Sequence, residues 1–211
     1  MRRMGFFLVL LTTISVGCTQ EEPAPSPTPT VPTIAAGPLP EGWRRCVNDE
    51  KGWSIGYPAA WFTTDRYTDP FTGDTKRQPS SACMLFDPRR FMIPGDGEPP
   101  ETALQVSLAS GPVEMMIGYL LDPTYWRLLA REEAVVLGMP AVRLEVESLG
   151  GSLELKGTLR YGWMVDLGDN RSFSVFAVAQ PGTTRDQYLE YREVARLAIA
   201  TVEFGSATPS A

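Results

Sequence analysis

Three cysteines and a few grouped carboxylates are the side chains of this chain best placed to do chemistry, because its 211 residues include no histidine. Without histidine there is no imidazole base, no Ser-His-Asp triad and no ordinary zinc site. The sequence also lacks a Gly-x-Ser-x-Gly elbow and a Gly-x-x-x-x-Gly-Lys-Ser/Thr phosphate loop. An enzyme made from these residues would need carboxylates, Lys, Tyr or a metal held by oxygen alone. Asp65, Asp69 and Asp74 form one acidic group, and Asp96 and Glu98 a second. Asp166 and Asp169 flank a turn, and Glu132 adjoins Glu133. Each group offers hard oxygen ligands, yet none has the spacing of a calcium loop. They read as solvated turn and linker residues, so no catalytic residue, metal or cofactor is expected.

The cysteines carry more. Arg2 and Arg3 precede the apolar run Phe6 to Ile14, and Ser15-Val16-Gly17 closes it just before Cys18. A basic start, a short apolar core and small residues make a secretory signal peptide, here 1–17. The run is too short to span a bilayer, which takes about 20 apolar residues, and no second run approaches that length. Small residues followed by Cys18 resemble the lipobox of bacterial lipoproteins. The resemblance implies that Cys18 is acylated, with chains such as palmitate, and becomes the mature N-terminus. Two or three acyl chains hold a protein firmly where one does not. The expected location is the cell membrane, lipid-anchored, on its extracytoplasmic side. The competing reading is an ordinary secreted protein with Cys18 left over.

Setting Cys18 aside leaves Cys46 and Cys83, an even count in a compartment that permits disulfides. A bridge between them is expected, against the alternative of two buried thiols. Closing that loop would add about 4 kcal/mol by chain entropy.

These groups need a scaffold. Residues 19–42 contain seven prolines and few large apolar groups. Such a stretch cannot offset its ordering entropy and reads as a semi-extended spacer. The chain therefore divides into a signal peptide (1–17), a lipidated cysteine with a Pro-rich tether (18–42), one globular domain (43–204) and a disordered tail (205–211). The formal charge of −6 and the lack of a basic face argue against nucleic acid as a partner.

Within the domain, Trp53, Ile55 and Tyr57 alternate with small residues and stop at Pro58, and 44–47 precede them as a hairpin partner. Further strands are expected at 82–86 and 103–108. Pro112 opens a helix whose face is Val113, Met116, Ile117, Leu120 and Leu121. Asp122 is placed to cap a second short helix over 124–130. Val142, Leu144 and Val146 alternate with charged residues, as Leu159, Tyr161, Trp163 and Val165 alternate with polar or small ones. Both segments predict half-buried antiparallel strands. Phe173 to Ala179 is apolar on nearly both faces and belongs in the middle of the sheet. Thr184 with Gln187 is a capping box for a last helix reaching Ala200. The expected class is α+β, an antiparallel sheet with helices packed on both sides.

Four stretches also resemble a known family. The start Gly52-Trp53-x-Ile55-x-Tyr57-Pro58-x-x-Trp61 is similar to the first strands of the PsbP-like superfamily. Gly138-Met139-Pro140-Ala141-Val142-Arg143 resembles the beginning of its middle strand, Phe173 to Ala179 its penultimate element, and Arg196 to Phe204 its closing helix and Thr-Val-x-Phe end. That superfamily includes bacterial lipoproteins of the LpqN type. The resemblance implies an α/β/α sandwich and an accessory or binding role, with no catalytic motif to carry over.

The partner surface is expected in the long polar segment 63–80, where Tyr67 and Phe71 are the aromatic anchors. The alternative is that both rings fold back onto the edge of the core. The function that follows is a non-catalytic binding domain for an envelope protein or a small apolar ligand. A carboxylate-dependent envelope hydrolase is the alternative.

Overall fold

The alternating segments 142–146 and 159–165 form the middle of a large sheet in the computed structural model, which describes residues 31–69, 71–94, 102–151 and 154–205. The signal peptide, Cys18, the first part of the tether and most of the tail lie outside the described residues, as do Asp96 and Glu98. In chain order the strands are β1 (Thr33–Ile34), β2 (Trp43–Asn48), β3 (Trp53–Pro58), β4 (Phe62–Thr63), β5 (Arg66–Thr68), β6 (Thr75–Arg77), β7 (Leu85–Asp87), β8 (Ile93–Pro94) and β9 (Leu104–Ser110). Helix α1 (Val113–Leu120) leads into β10 (Trp126–Val136), β11 (Met139–Ser148), β12 (Leu159–Gly168) and β13 (Arg171–Ala179). Helix α2 (Arg185–Ala200) and β14 (Glu203–Phe204) close the fold.

Eight strands make the main sheet in the order β1-β10-β11-β12-β13-β9-β7-β4. Its pairings are antiparallel apart from β1 on β10. Two-residue turns set the register of the meander. Leu137-Gly138 joins β10 to β11 and Asp169-Asn170 joins β12 to β13, all four residues at positive φ. Such left-handed pairs match the twist of the flanking strands.

Alternation sends each strand to two different cores. On β13, Phe173, Val175, Ala177 and Ala179 join β3 and the buried face of α2 (Tyr188, Val194, Ala195, Ala198, Ile199). Phe176 and Val178 on the opposite face join Val142, Leu144, Val146 and the buried side of α1 (Val113, Ile117, Leu120). That double burial is why 173–179 reads as apolar throughout. Fully burying one such Val, Ile or Phe contributes about 1.5–3 kcal/mol. The expected capping box is present, with Thr184 Oγ1 accepting from Gln187 N–H and Gln187 Oε1 accepting from Thr184 N–H.

Four expectations need correction. First, 124–130 is not a helix. Asp122 Oδ1 accepts from Thr124 N–H at 2.9 Å and Asp122 O accepts from Trp126 N–H at 2.9 Å, which makes a turn feeding β10. A register shift between Leu128 and Ala130 then exchanges the faces. Trp126 and Leu128 lie on the α1 face, while Ala134 and Val136 lie on the α2 face. The bulge hides the period-two pattern from the sequence. Second, 63–80 is not one loop, since it contains β4's end, β5, β6 and a short 3-10 turn at Pro79–Ser81. Third, the two helices lie on opposite faces of the sheet but are too few to make full layers of a sandwich. The α2 face is shared with the three-stranded sheet β14-β3-β2, and α1 has only eight residues. The architecture is a mixed α+β fold dominated by its sheet. Fourth, the described end of the Pro-rich segment runs along the domain. Thr33 and Ile34 pair with Val135 and Val136, and Gly37 N–H donates to Ala200 O at 2.9 Å. A Cβ on Gly56 would lie 2.5 Å from Leu39, so this glycine is where the segment packs against β3.

Candidate functional site

The segment 63–80 folds as a ribbon. Tyr67 of β5 pairs with Lys76 of β6 on one side and with Ile93 of β8 on the other. Asp69 organises its end. Its Oδ1 accepts from the N–H of Phe71 at 2.9 Å and of Thr72 at 3.1 Å, and its Oδ2 binds Lys76 Nζ. Hydrogen bonding by Lys76, then by those two amides, holds the Asp69 carboxyl below its usual range. The same bond raises the Lys76 ammonium. A second brace crosses the base, where Arg77 Nε donates to Asp65 Oδ2 at 2.8 Å and Gln78 N–H to Asp65 O at 2.7 Å. The two aromatics part company on this frame. Tyr67 is half-buried, whereas Phe71 is 95% exposed at the tip.

The cysteines fix the end of the ribbon that returns to the core. Cys46 and Cys83 are disulfide-bonded, with Cα atoms 5.7 Å apart. Beside them the buried Asn48 side chain donates to Ala82 O at 2.7 Å and Ser80 O at 3.3 Å, and it accepts from Lys51 N–H at 3.0 Å. Segment 80–83 is therefore stapled to β2 by one covalent and two hydrogen bonds. At the root, residues leading into β5 and β8 border an open cleft of about 500 Å³ with Phe62, Thr63, Arg90 and Met92 in its walls. Arg90 stacks on Phe62 at 4.8 Å.

Three of the other grouped carboxylates hold structural contacts. Glu132 pairs with Arg143, Glu133 with Arg131 at 3.5 Å, and Asp166 Oδ1 accepts from Gly168 N–H at 2.9 Å. Tyr188 donates to Glu145 Oε1 at 2.9 Å. Burial and that carboxylate push its phenol up, and the bond ties α2 to the sheet. Hydrogen bonds lower the carboxyls of Asp69, Asp122 and Glu193. No group of His, Cys, Asp and Glu able to hold a metal occurs among the described residues.

A second feature escaped the sequence reading. Between α1 and the sheet lies a cavity of about 290 Å³ bordered by Met116, Leu120, Trp126, Met164 and Phe176. Its floor is low because Ser107 of β9 and Ser174 of β13 are register partners, so two small side chains sit where the next pair along is Gln105 and Phe176. At one end Arg160 is ion-paired with Glu154, their side chains 16% and 10% exposed. Arg160 Nη2 also donates to Gln105 Oε1 at 2.8 Å. Burial lowers the guanidinium to about 10, and it stays protonated at neutral pH. The alternating pattern of β12 assigned Arg160 to a polar face; only the sheet register shows that this face lies under α1.

No family model matches the chain, and no curated protein does. Among solved structures it is similar to the solution structure of cyanobacterial PsbP (CyanoP) from Synechocystis sp. PCC 6803. The identity is 14%, over 81% of this chain and 97% of that chain, with a TM-score of 0.41.

Proposed function

We propose that this chain is a lipid-anchored protein of the bacterial envelope, of the LpqN type, whose domain docks a protein partner without catalysing a reaction. The observation that carries this reading is Phe71, 95% exposed at the tip of a ribbon braced by Asp69–Lys76 and Asp65–Arg77. A large aromatic ring held out on a stiff support offers contact area with little ordering entropy left to lose. Single exposed apolar residues are common on protein surfaces; what distinguishes Phe71 is the frame around it. The disulfide and Asn48 anchor one end of that frame, and β8 pairs along its side. The absence of histidine and the downward shifts of the displaced carboxyls agree with a binding role. The anchor rests on Cys18 and its setting in the sequence.

The test is a photo-crosslinker at position 71 of the full chain expressed in its own membranes. A discrete adduct larger than the chain by a protein's mass is expected, lost when the crosslinker is moved to exposed Glu190 on α2. Adducts with lipid alone, or none, would overturn the docking reading.

A further inference from the structure

We propose that the cavity under α1 is a binding site for a small apolar molecule headed by an uncharged carbonyl acceptor, an ester or an amide. The body of the ligand follows from the walls. Leu120, Met164 and Phe176 are buried in the α1 core, and with Met116 and Trp126 they surround a space of about 290 Å³. That is the low end of ligand pockets, which run about 300–1,000 Å³, so the occupant is a short chain or a single ring. Met116 and Met164 are unbranched and adapt to different shapes.

The head group follows from the donors. Trp126 Nε1 and Arg160 Nε are both buried and have no hydrogen-bond partner among the described residues. Both of Arg160's side-chain hydrogen bonds, to Glu154 and Gln105, use Nη2. A buried donor left unpaired costs about 1–3 kcal/mol, so an arriving acceptor relieves an existing cost as well as adding a bond. The guanidinium carbon lies 5.7 Å from the Trp126 ring centre.

Charge selects among acceptors. Arg160 and Glu154 already form a neutral pair whose side chains are largely buried. A carboxylate would add an uncompensated negative charge there, which a low-dielectric site disfavours. An ammonium would add a positive one and leave both unpaired donors unpaired. An ester or amide supplies the acceptor and leaves the charge at zero.

The probes are N-methyloctanamide, octanoate and octylamine, titrated calorimetrically into the full chain carrying Cys18→Ser, so that no acyl group competes. N-methyloctanamide is expected to bind with one-to-one saturation, at least ten-fold tighter than octanoate or octylamine. Trp126→Phe removes one donor and keeps an aromatic wall, and should weaken the amide about ten-fold while leaving octylamine unchanged. Ser174→Leu fills the floor and should abolish binding; Ser107→Val fills it from the adjacent strand if the first variant does not fold. Octanoate binding as tightly as the amide would overturn the proposal in favour of an anion site. Amide binding that survives both filling variants in folded protein, or no amide binding at all, would remove the cavity as a site. Phe71→Ala is expected to change none of these values, which separates this site from the ribbon.

Discussion

Thr201 Oγ1 accepts the Gly56 N–H at 2.7 Å and donates to Ala198 O at 2.7 Å, so one buried hydroxyl ties the end of α2 to the centre of β3. Thr201→Val keeps the shape and removes the acceptor. The Gly56 N–H would then lie buried and unpaired, at a cost of about 1–3 kcal/mol. Urea unfolding should show a lower midpoint with an unchanged slope.

The Cys46–Cys83 bridge closes a loop with a sequence separation of 37. Chain entropy gives it about 4 kcal/mol. The Cys46→Ala, Cys83→Ala variant should lose stability of that order in denaturant, and reductant should destabilise the native protein but not the variant. Native protein indifferent to reductant would show that the bridge does not contribute.

Asp69 is predicted to hold the ribbon tip. In Asp69→Asn the bond to Lys76 loses its charge, and amide exchange at Phe71 and Thr72 should quicken while the core β13 amides stay protected. The pH dependence has a definite sign. The folded carboxyl is held below its ordinary 3.8, so its contribution is complete above that value and disappears as pH falls through the lower folded one. Wild-type tip exchange should therefore approach that of the variant as pH falls below the ordinary carboxylate range. Crosslinking through position 71 should weaken in Asp69→Asn for the same reason.

Cys18→Ser should move the protein from the membrane fraction to the soluble one. It should leave the unfolding midpoint of the domain unchanged. A Ser variant that still sediments with membranes would remove the lipid anchor from the account.

Much of the fold can be read in the chain because local chemistry repeats with the period of the element. Trp53-Ile55-Tyr57, Val142-Leu144-Val146 and the Thr184–Gln187 capping box each mark an element without outside help. The Cys46–Cys83 pairing follows from counting cysteines. Tertiary structure decided the rest. The bulge at Leu129 exchanges the faces of β10, so no single alternation runs through 126–136 and a helix looked as good as a strand. The pairing of Thr33 and Ile34 with Val135 and Val136 is about 100 residues distant in sequence, and propensity carries no information on such contacts. Whether Tyr67 or Phe71 would be exposed depended on which ring β8 and the core edge covered. The cavity depended most on the assembled sheet. Ser107, Arg160 and Ser174 are unremarkable polar residues on three strands, and they meet only because the register of β12, β13 and β9 aligns them beneath α1.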